Sequence, residues 1–106
     1  MTKHLLIGGL VAAGFDSTGA YLLTISHSGR GVFSAIAWER VARDAQLAYP
    51  KTGHATGIGP IEGVSIPVTE IDYATGQLGF SSPDGKLRFE YKEGTLTISD
   101  TRALQE

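Results

Sequence analysis

The chain has 106 residues, of which 42% are hydrophobic and 19% charged, and its formal net charge is −2. This composition is too apolar for a disordered chain, and the length is that of one domain with its own core. The nine basic residues are scattered, whereas nucleic-acid binding needs a basic stripe, so no nucleic-acid partner is expected. The chain has no cysteine, which excludes disulfides and thiolate metal sites and is consistent with a cytoplasmic protein.

The N-terminal segment, residues 4–15, is apolar and is interrupted at Gly8 and Gly9. It resembles the apolar part of a signal peptide, but cleavage after Ala13 would leave an unusually short one. We therefore predict one or two strands that bend at the glycines. No apolar run approaches the roughly 20 residues of a membrane span, so no membrane partner is expected.

Residues 11–44 have the pattern of a four-stranded antiparallel meander. Apolar and β-branched stretches at 20–26, 32–37 and 40–43 follow turn-forming residues, which include 16–19 and 29–31. A helix over residues 34–48 is the alternative, because these residues have good helix propensity, but their apolar positions do not share one helical face. A lone meander cannot bury its own apolar faces, so another part of the structure must cover it.

The C-terminal half supplies a candidate cover. Residues 45–63 are rich in glycine and read as a loop, and residues 64–99 alternate apolar and polar positions, with a turn at Pro83, Asp84 and Gly85 and with Pro67 indicating an edge strand. We predict an all-β fold of seven or eight short strands. Two antiparallel meanders, 4–44 and 64–99, form one domain over residues 1–106, as a small sandwich or a strongly curved sheet, with at most one short helix near 38–48.

The stretches GFDSTGAYLLTISHSGRGVF and FSSPDGKLRFEY resemble blades of WD-repeat β-propellers. Such blades combine an apolar strand, a turn of the Phe-Ser-Pro-Asp-Gly type and further strands. A propeller needs about four blades or more, and 106 residues supply two at most. The resemblance therefore implies local blade-like sheets rather than a propeller.

No cluster of residues carries recognisable chemistry. His27 lies beside Ser26 and Ser28, which permits a base next to a nucleophile, but no orienting acid is identifiable from spacing. The three histidines show no metal-ligand spacing, and the glycines of residues 53–63 precede no helix that would hold a phosphate. We expect no catalytic residues, no metal and no cofactor.

Candidate partner-binding residues are those that turns and loops place at the surface. Tyr and Trp are common interface anchors, and a group of carboxylates can bind a basic partner, although core packing of the aromatic residues and ordinary solvent exposure of the acidic ones are the alternatives. The candidates are His27, Arg30, Trp38, Tyr49, Glu62, Glu70 and Asp72.

These observations favour a non-enzymatic protein that binds another protein. Small size, slight acidity and the lack of visible chemistry suggest a bacterial immunity protein that inhibits a basic toxin. The alternatives are a regulatory module that self-assembles into a homo-oligomer through exposed strand edges, and a small hydrolase that uses His27.

Overall fold

The computed structural model describes residues 2–46 and 53–100. Eleven strands and one short 3₁₀ turn, Gly59–Ile61, make up its regular structure. The strands are β1 (Thr2–Leu6), β2 (Leu10–Phe15), β3 (Tyr21–Ser26), β4 (Gly29–Ser34), β5 (Arg40–Asp44), β6 (His54–Thr56), β7 (Ser65–Pro67), β8 (Thr69–Glu70), β9 (Leu78–Ser81), β10 (Leu87–Lys92) and β11 (Thr95–Asp100).

A five-stranded antiparallel sheet in the order β5-β4-β3-β2-β8 lies at the centre of the molecule. Its middle strands are apolar at consecutive positions, so they offer apolar side chains to both faces. Leu22 and Leu23 illustrate this, because both are fully buried and each belongs to a different core. The central sheet therefore needs a cover on each side.

The first face is covered by a four-stranded antiparallel sheet in the order β1-β11-β10-β9. Strand β10 directs Leu87, Phe89 and Tyr91 inward and its charged residues outward. Phe89 is fully buried and stacks on Phe80, with ring centroids 4.4 Å apart. The first core also contains Leu10, Ala13, Phe15, Leu22, Ala35, Trp38, Leu78, Leu96 and Ile98.

The second face is covered by the β6–β7 hairpin together with the 3₁₀ turn. Ile66 of β7 is fully buried, and Ile61 of the turn is buried beside it in the second core. The remaining members of this core are Val11, Ala12, Leu23, Ile25, Val32, Ala55 and Val68. The described residues thus form three layers, with the central sheet between the four-stranded sheet and the hairpin.

Each half of the chain contributes one strand to the sheet of the other half. Strand β1 pairs with β11, from Thr2 opposite Ser99 to Leu6 opposite Thr95. Strand β8 pairs with β2, with Thr69 opposite Ala13. The bend predicted at Gly8 and Gly9 is where the chain passes from one sheet to the other. The two halves are therefore interlocked, which two separate meanders would not be.

The predicted all-β fold of two antiparallel sheets is confirmed. Strands are more numerous than expected, because the three-residue β6 was not predicted and because the predicted edge strand around Pro67 is divided into β7 and β8, which have three and two residues. Residues 38–46 contain no helix, and β6 lies inside the predicted loop. The second turn falls at His27 and Ser28 rather than at 29–31, since β4 already begins at Gly29. No helix among the described residues is long and apolar enough to span a membrane.

Candidate functional site

A cleft of about 390 Å³ opens beside the end of β1. Residues 5–8 form one wall, and β3, β4 and β5 of the central sheet form the floor and the opposite wall. Its volume lies at the small end of the range for ligand-binding pockets. The cleft is on the first face of the central sheet, beside the region that the four-stranded sheet covers.

Small residues make the floor of the cleft. Gly29 and Gly31 of β4 carry no side chain, and Thr24 of the neighbouring strand is buried beside them. The Thr24 hydroxyl donates to the Gly31 carbonyl at 3.3 Å, and the hydroxyls of Ser26 and Ser28 lie 2.9 Å apart. The floor therefore presents backbone and hydroxyl groups, with the Phe33 side chain beside them.

Two arginines of β5 line the other side of the cleft. Arg43 lies opposite Gly31 and Arg40 lies opposite Phe33, with an irregular register between them. The extra residue is Val41, and such a β-bulge places residues three apart on the same face of a sheet. Both arginines consequently lie on the side of the first core.

Neither Arg40 nor Arg43 has a carboxylate partner among the described residues. Both side chains are exposed. The Arg40 Cδ atom lies 3.5 Å from the position that a Cβ atom would take on Gly31, so its aliphatic part runs over that glycine. The cleft thus combines two unpaired cations with hydroxyl groups, which suits an anionic group.

Arg30 points to the opposite face of β4 and is already engaged. It forms an ion pair with Asp44 and donates from its Nη1 to the Thr56 carbonyl at 2.8 Å. The amide of Gln46 and the Arg30 guanidinium lower the pKa of the Asp44 carboxyl below its usual value. Arg30 therefore fastens β6 to the central sheet, a structural role that its predicted position in a hairpin tip did not indicate.

His27 is exposed at the tip of the β3–β4 hairpin. Its Cδ2 atom lies 2.7 Å from where a Cβ atom on Gly9 would be, so the imidazole ring packs directly against Gly9. Among the described residues no carboxylate forms a hydrogen bond with His27, and the Ser26 hydroxyl donates to the Gly29 carbonyl. This arrangement has a serine and a histidine near each other but no acid that would orient the ring.

The other predicted partner-binding residues are dispersed. Trp38 is only 5% exposed and belongs to the first core, as the core-packing alternative states, so its ring is not available to a partner. Tyr49 lies outside the described residues. Glu62 follows the 3₁₀ turn, whereas Glu70 ends β8 and Asp72 begins a turn closed by Gln77.

Two glycines of residues 53–63, the segment in which no phosphate site was expected, serve packing in this structure. A Cβ atom on Gly57 would collide with Ile61, and one on Gly59 would collide with Ala42 of β5. Gly59 lets the 3₁₀ turn approach β5 of the central sheet closely, and Gly57 leaves space for Ile61 of the same turn. Within residues 2–46 and 53–100, no three His, Asp or Glu side chains converge into a group that could hold a metal ion.

Sequence reasoning missed Arg40 and Arg43 as site residues. In a regular strand, residues three apart lie on opposite faces, and only the bulge at Val41 brings the two together. No protein-family model matches the chain, and neither a curated protein nor a solved structure was found to be similar to it. The resemblance to propeller blades therefore stays a prediction.

Proposed function

We propose that this chain is a non-enzymatic domain that binds another protein, and that the cleft beside β1 is part of its binding surface. The observation that carries the proposal is the pair Arg40 and Arg43, two exposed cations without carboxylate partners among the described residues. Arginine is enriched at binding hot spots because its planar fork can bond a carboxylate through two parallel hydrogen bonds.

The geometry offers less support for catalysis. The floor of the cleft contains Ser26 and Ser28, but His27 packs on Gly9 outside it, and no acid contacts His27 among the described residues. Hydrolysis by a serine needs a base in contact with the nucleophile and a group that orients the base. A binding role requires only the surface that is present.

The specific form of the proposal is an immunity protein that inhibits a toxin. The cleft favours a partner that presents acidic groups to Arg40 and Arg43. In the second version of the proposal, the carboxylates of Glu62, Glu70 and Asp72 bind a basic toxin domain. All three residues are exposed, and none is paired with a cation in the described part of the chain. The two versions use opposite charges and can be separated by mutation.

The test uses the product of the neighbouring gene as the candidate partner. Complex formation is measured by size exclusion with light scattering and by calorimetry, for the wild type and for two charge-reversal variants. The cleft version predicts that R40E/R43E weakens the complex at least tenfold and that E62K/E70K/D72K leaves it within about twofold. The opposite ranking supports the basic-partner version, and the lack of any complex with this or other co-purifying proteins contradicts the binding proposal.

The same light-scattering measurement on the chain alone tests self-assembly. We expect the chain alone to have the mass of a monomer, because the proposed surface binds a different protein and not a second copy of this chain. A stable homo-oligomer would favour the alternative, in which strand edges of two copies associate.

A further inference from the structure

We infer that the cleft takes an extended acidic segment of the partner, which adds to the unpaired edge of β1 as a fifth strand and places its carboxylates against Arg40 and Arg43. This inference rests on the proposed function and specifies the chemistry of the bound segment. It follows from the hydrogen-bonding state of β1, from the other sheet edges and from the charge of the cleft.

Strand β1 is paired on one side only. The Ile7 amide donates to the Gly94 carbonyl at 3.1 Å, on the side of β11. In an antiparallel pair, alternate residues direct both backbone groups to the partner strand. The amide and carbonyl of Leu5 therefore face β11, whereas the amides and carbonyls of His4 and Leu6 face away from it.

The outward groups of His4 and Leu6 have no backbone partner among the described residues. An edge of this kind is a template for another strand. The Leu6 side chain is 86% exposed, more than any other large apolar residue that the structure describes. A segment paired with β1 would satisfy the backbone groups and cover part of this side chain.

The other edges are less suited to strand addition. Strand β5 is bulged at Val41, and β8 has only two residues, Thr69 and Glu70. Strand β9 passes close to β8, which restricts access to that edge. By contrast, all five residues of β1 pair in regular register without a bulge. Natural proteins protect exposed edges with bulges and short strands. Among the described residues β1 is the longest edge strand without a bulge, since β9 has four residues and β6 and β7 have three each.

The arginines that line the cleft favour an added strand with acidic side chains. A fifth strand beside β1 would extend the four-stranded sheet over the cleft, and the open volume of about 390 Å³ is the space for its inward side chains. Arg40 and Arg43 line the far side of this space. Side chains of a strand alternate between its two faces, so carboxylates at every second residue would meet the arginines. This is recognition by β-augmentation, in which the backbone supplies affinity and alternate side chains supply specificity.

The experiment uses a capped eight-residue peptide in which Glu alternates with Val as the probe. Its affinity is measured by calorimetry and compared with a version that carries Lys in place of Glu. Two further versions carry N-methyl groups on the odd-numbered or on the even-numbered amides, since only one set faces β1 in a paired strand. We expect at least tenfold tighter binding of the Glu peptide than of the Lys peptide, and at least tenfold loss for one N-methyl set with little loss for the other.

The matching protein variants are R40Q/R43Q and Leu6→Pro. Leu6→Pro removes an outward amide without removing a bond to β11, and Leu6→Ala is its control because it keeps the amide. Arg88→Gln is the control for charge, since Arg88 is exposed on the outer face of β10. We expect R40Q/R43Q and Leu6→Pro to weaken peptide binding at least tenfold and Arg88→Gln to leave it within twofold. Leu6→Ala removes an apolar contact but keeps the amide, so we expect it to weaken binding clearly less than Leu6→Pro does. A thermal melt of each variant establishes that it is folded, and the N-methyl peptides test the inference without any mutation.

Equal effects of the two N-methyl sets, or equal binding of the Lys peptide, would overturn strand addition. Free glutamate binding as tightly as the peptide would show a site for small anions instead. If the peptide fails to bind while R40E/R43E still breaks the complex with the natural partner, the inference fails and the proposed function stands. If no partner complex forms at all, the proposed function fails as well.

Discussion

Replacing Ile66 by alanine tests whether the β6–β7 hairpin is an integral layer of the fold. Ile66 is fully buried in the second core, together with Leu23 and Ile25 of the central sheet. Truncating a buried isoleucine costs about 2–5 kcal/mol, because the removed methyl groups lose their burial and a cavity remains. Ile36 is 81% exposed, and Ile36→Ala is the matched control with an expected change within about 0.5 kcal/mol.

The assay is urea or thermal unfolding followed by far-UV circular dichroism and by fluorescence. Trp38 is the single tryptophan and is buried in the first core, so its emission reports unfolding of the face opposite the mutation. A loss of about 3 kcal/mol corresponds to a fall in Tm of about 12–24 °C for a domain of this size. An Ile66→Ala variant that is as stable as Ile36→Ala would refute the packing of the hairpin on the central sheet.

Three further predictions concern the packing and charge of single residues. Gly14→Ala should destabilise the fold by more than about 1 kcal/mol, because the new Cβ atom would collide with the Pro67 carbonyl; equal Tm values would show that β7 has room to move. The lowered pKa of Asp44 means that its ion pair with Arg30 stabilises the fold above the usual carboxyl pKa of 3.8 and that this stabilisation is lost as the pH falls through the acid range. The difference in Tm between wild type and Asp44→Asn should therefore shrink between pH 7 and pH 3, and a constant difference would contradict it. His27→Ala should leave partner binding and Tm nearly unchanged, since His27 is exposed and forms no side-chain hydrogen bond in the described structure; loss of a hydrolytic activity in this variant would instead favour the enzyme alternative.

The local elements of this fold were predictable where a pattern repeats over enough residues. Leu87, Phe89 and Tyr91 alternate with charged residues, and the strand appears as predicted with these three buried. The turn at Pro83, Asp84 and Gly85 is also present, with the Gly85 amide donating to the Ser82 carbonyl at 2.9 Å. Both patterns depend only on residues that are close in sequence, so they can be recognised without knowledge of the tertiary structure.

The partners of the strands were not predictable, because pairing depends on contacts that are distant in sequence. Nothing in the residues of β1 distinguishes a strand that joins β11 from one that joins β2. The same limit explains the turn at His27 and Ser28. Gly29 is in β4 because its lack of a side chain admits the Asp44 carbonyl of the neighbouring strand, and its φ of 119° suits only glycine.

The candidate site depends on a local element that was predictable from the sequence and on a bulge that was not. The hairpin that contains Thr24 and Gly31 was expected from the sequence, although its turn was misplaced. The bulge at Val41 has no sequence signal, and without it Arg40 and Arg43 would lie on opposite faces. The cleft depends on the bulge in β5 and on the pairing of β1 with β11, so it can be recognised only from the three-dimensional structure.

Amide hydrogen exchange of β1 tests most directly whether the cleft beside it binds the partner. The measurement compares the protein alone with the protein saturated by its partner or by the acidic peptide. We predict that the amides of His4 and Leu6, which face away from β11, exchange at least tenfold more slowly in the complex. The amides of Lys3 and Leu5, already bonded to β11, should change little. Unchanged exchange at His4 and Leu6 in a formed complex would contradict it.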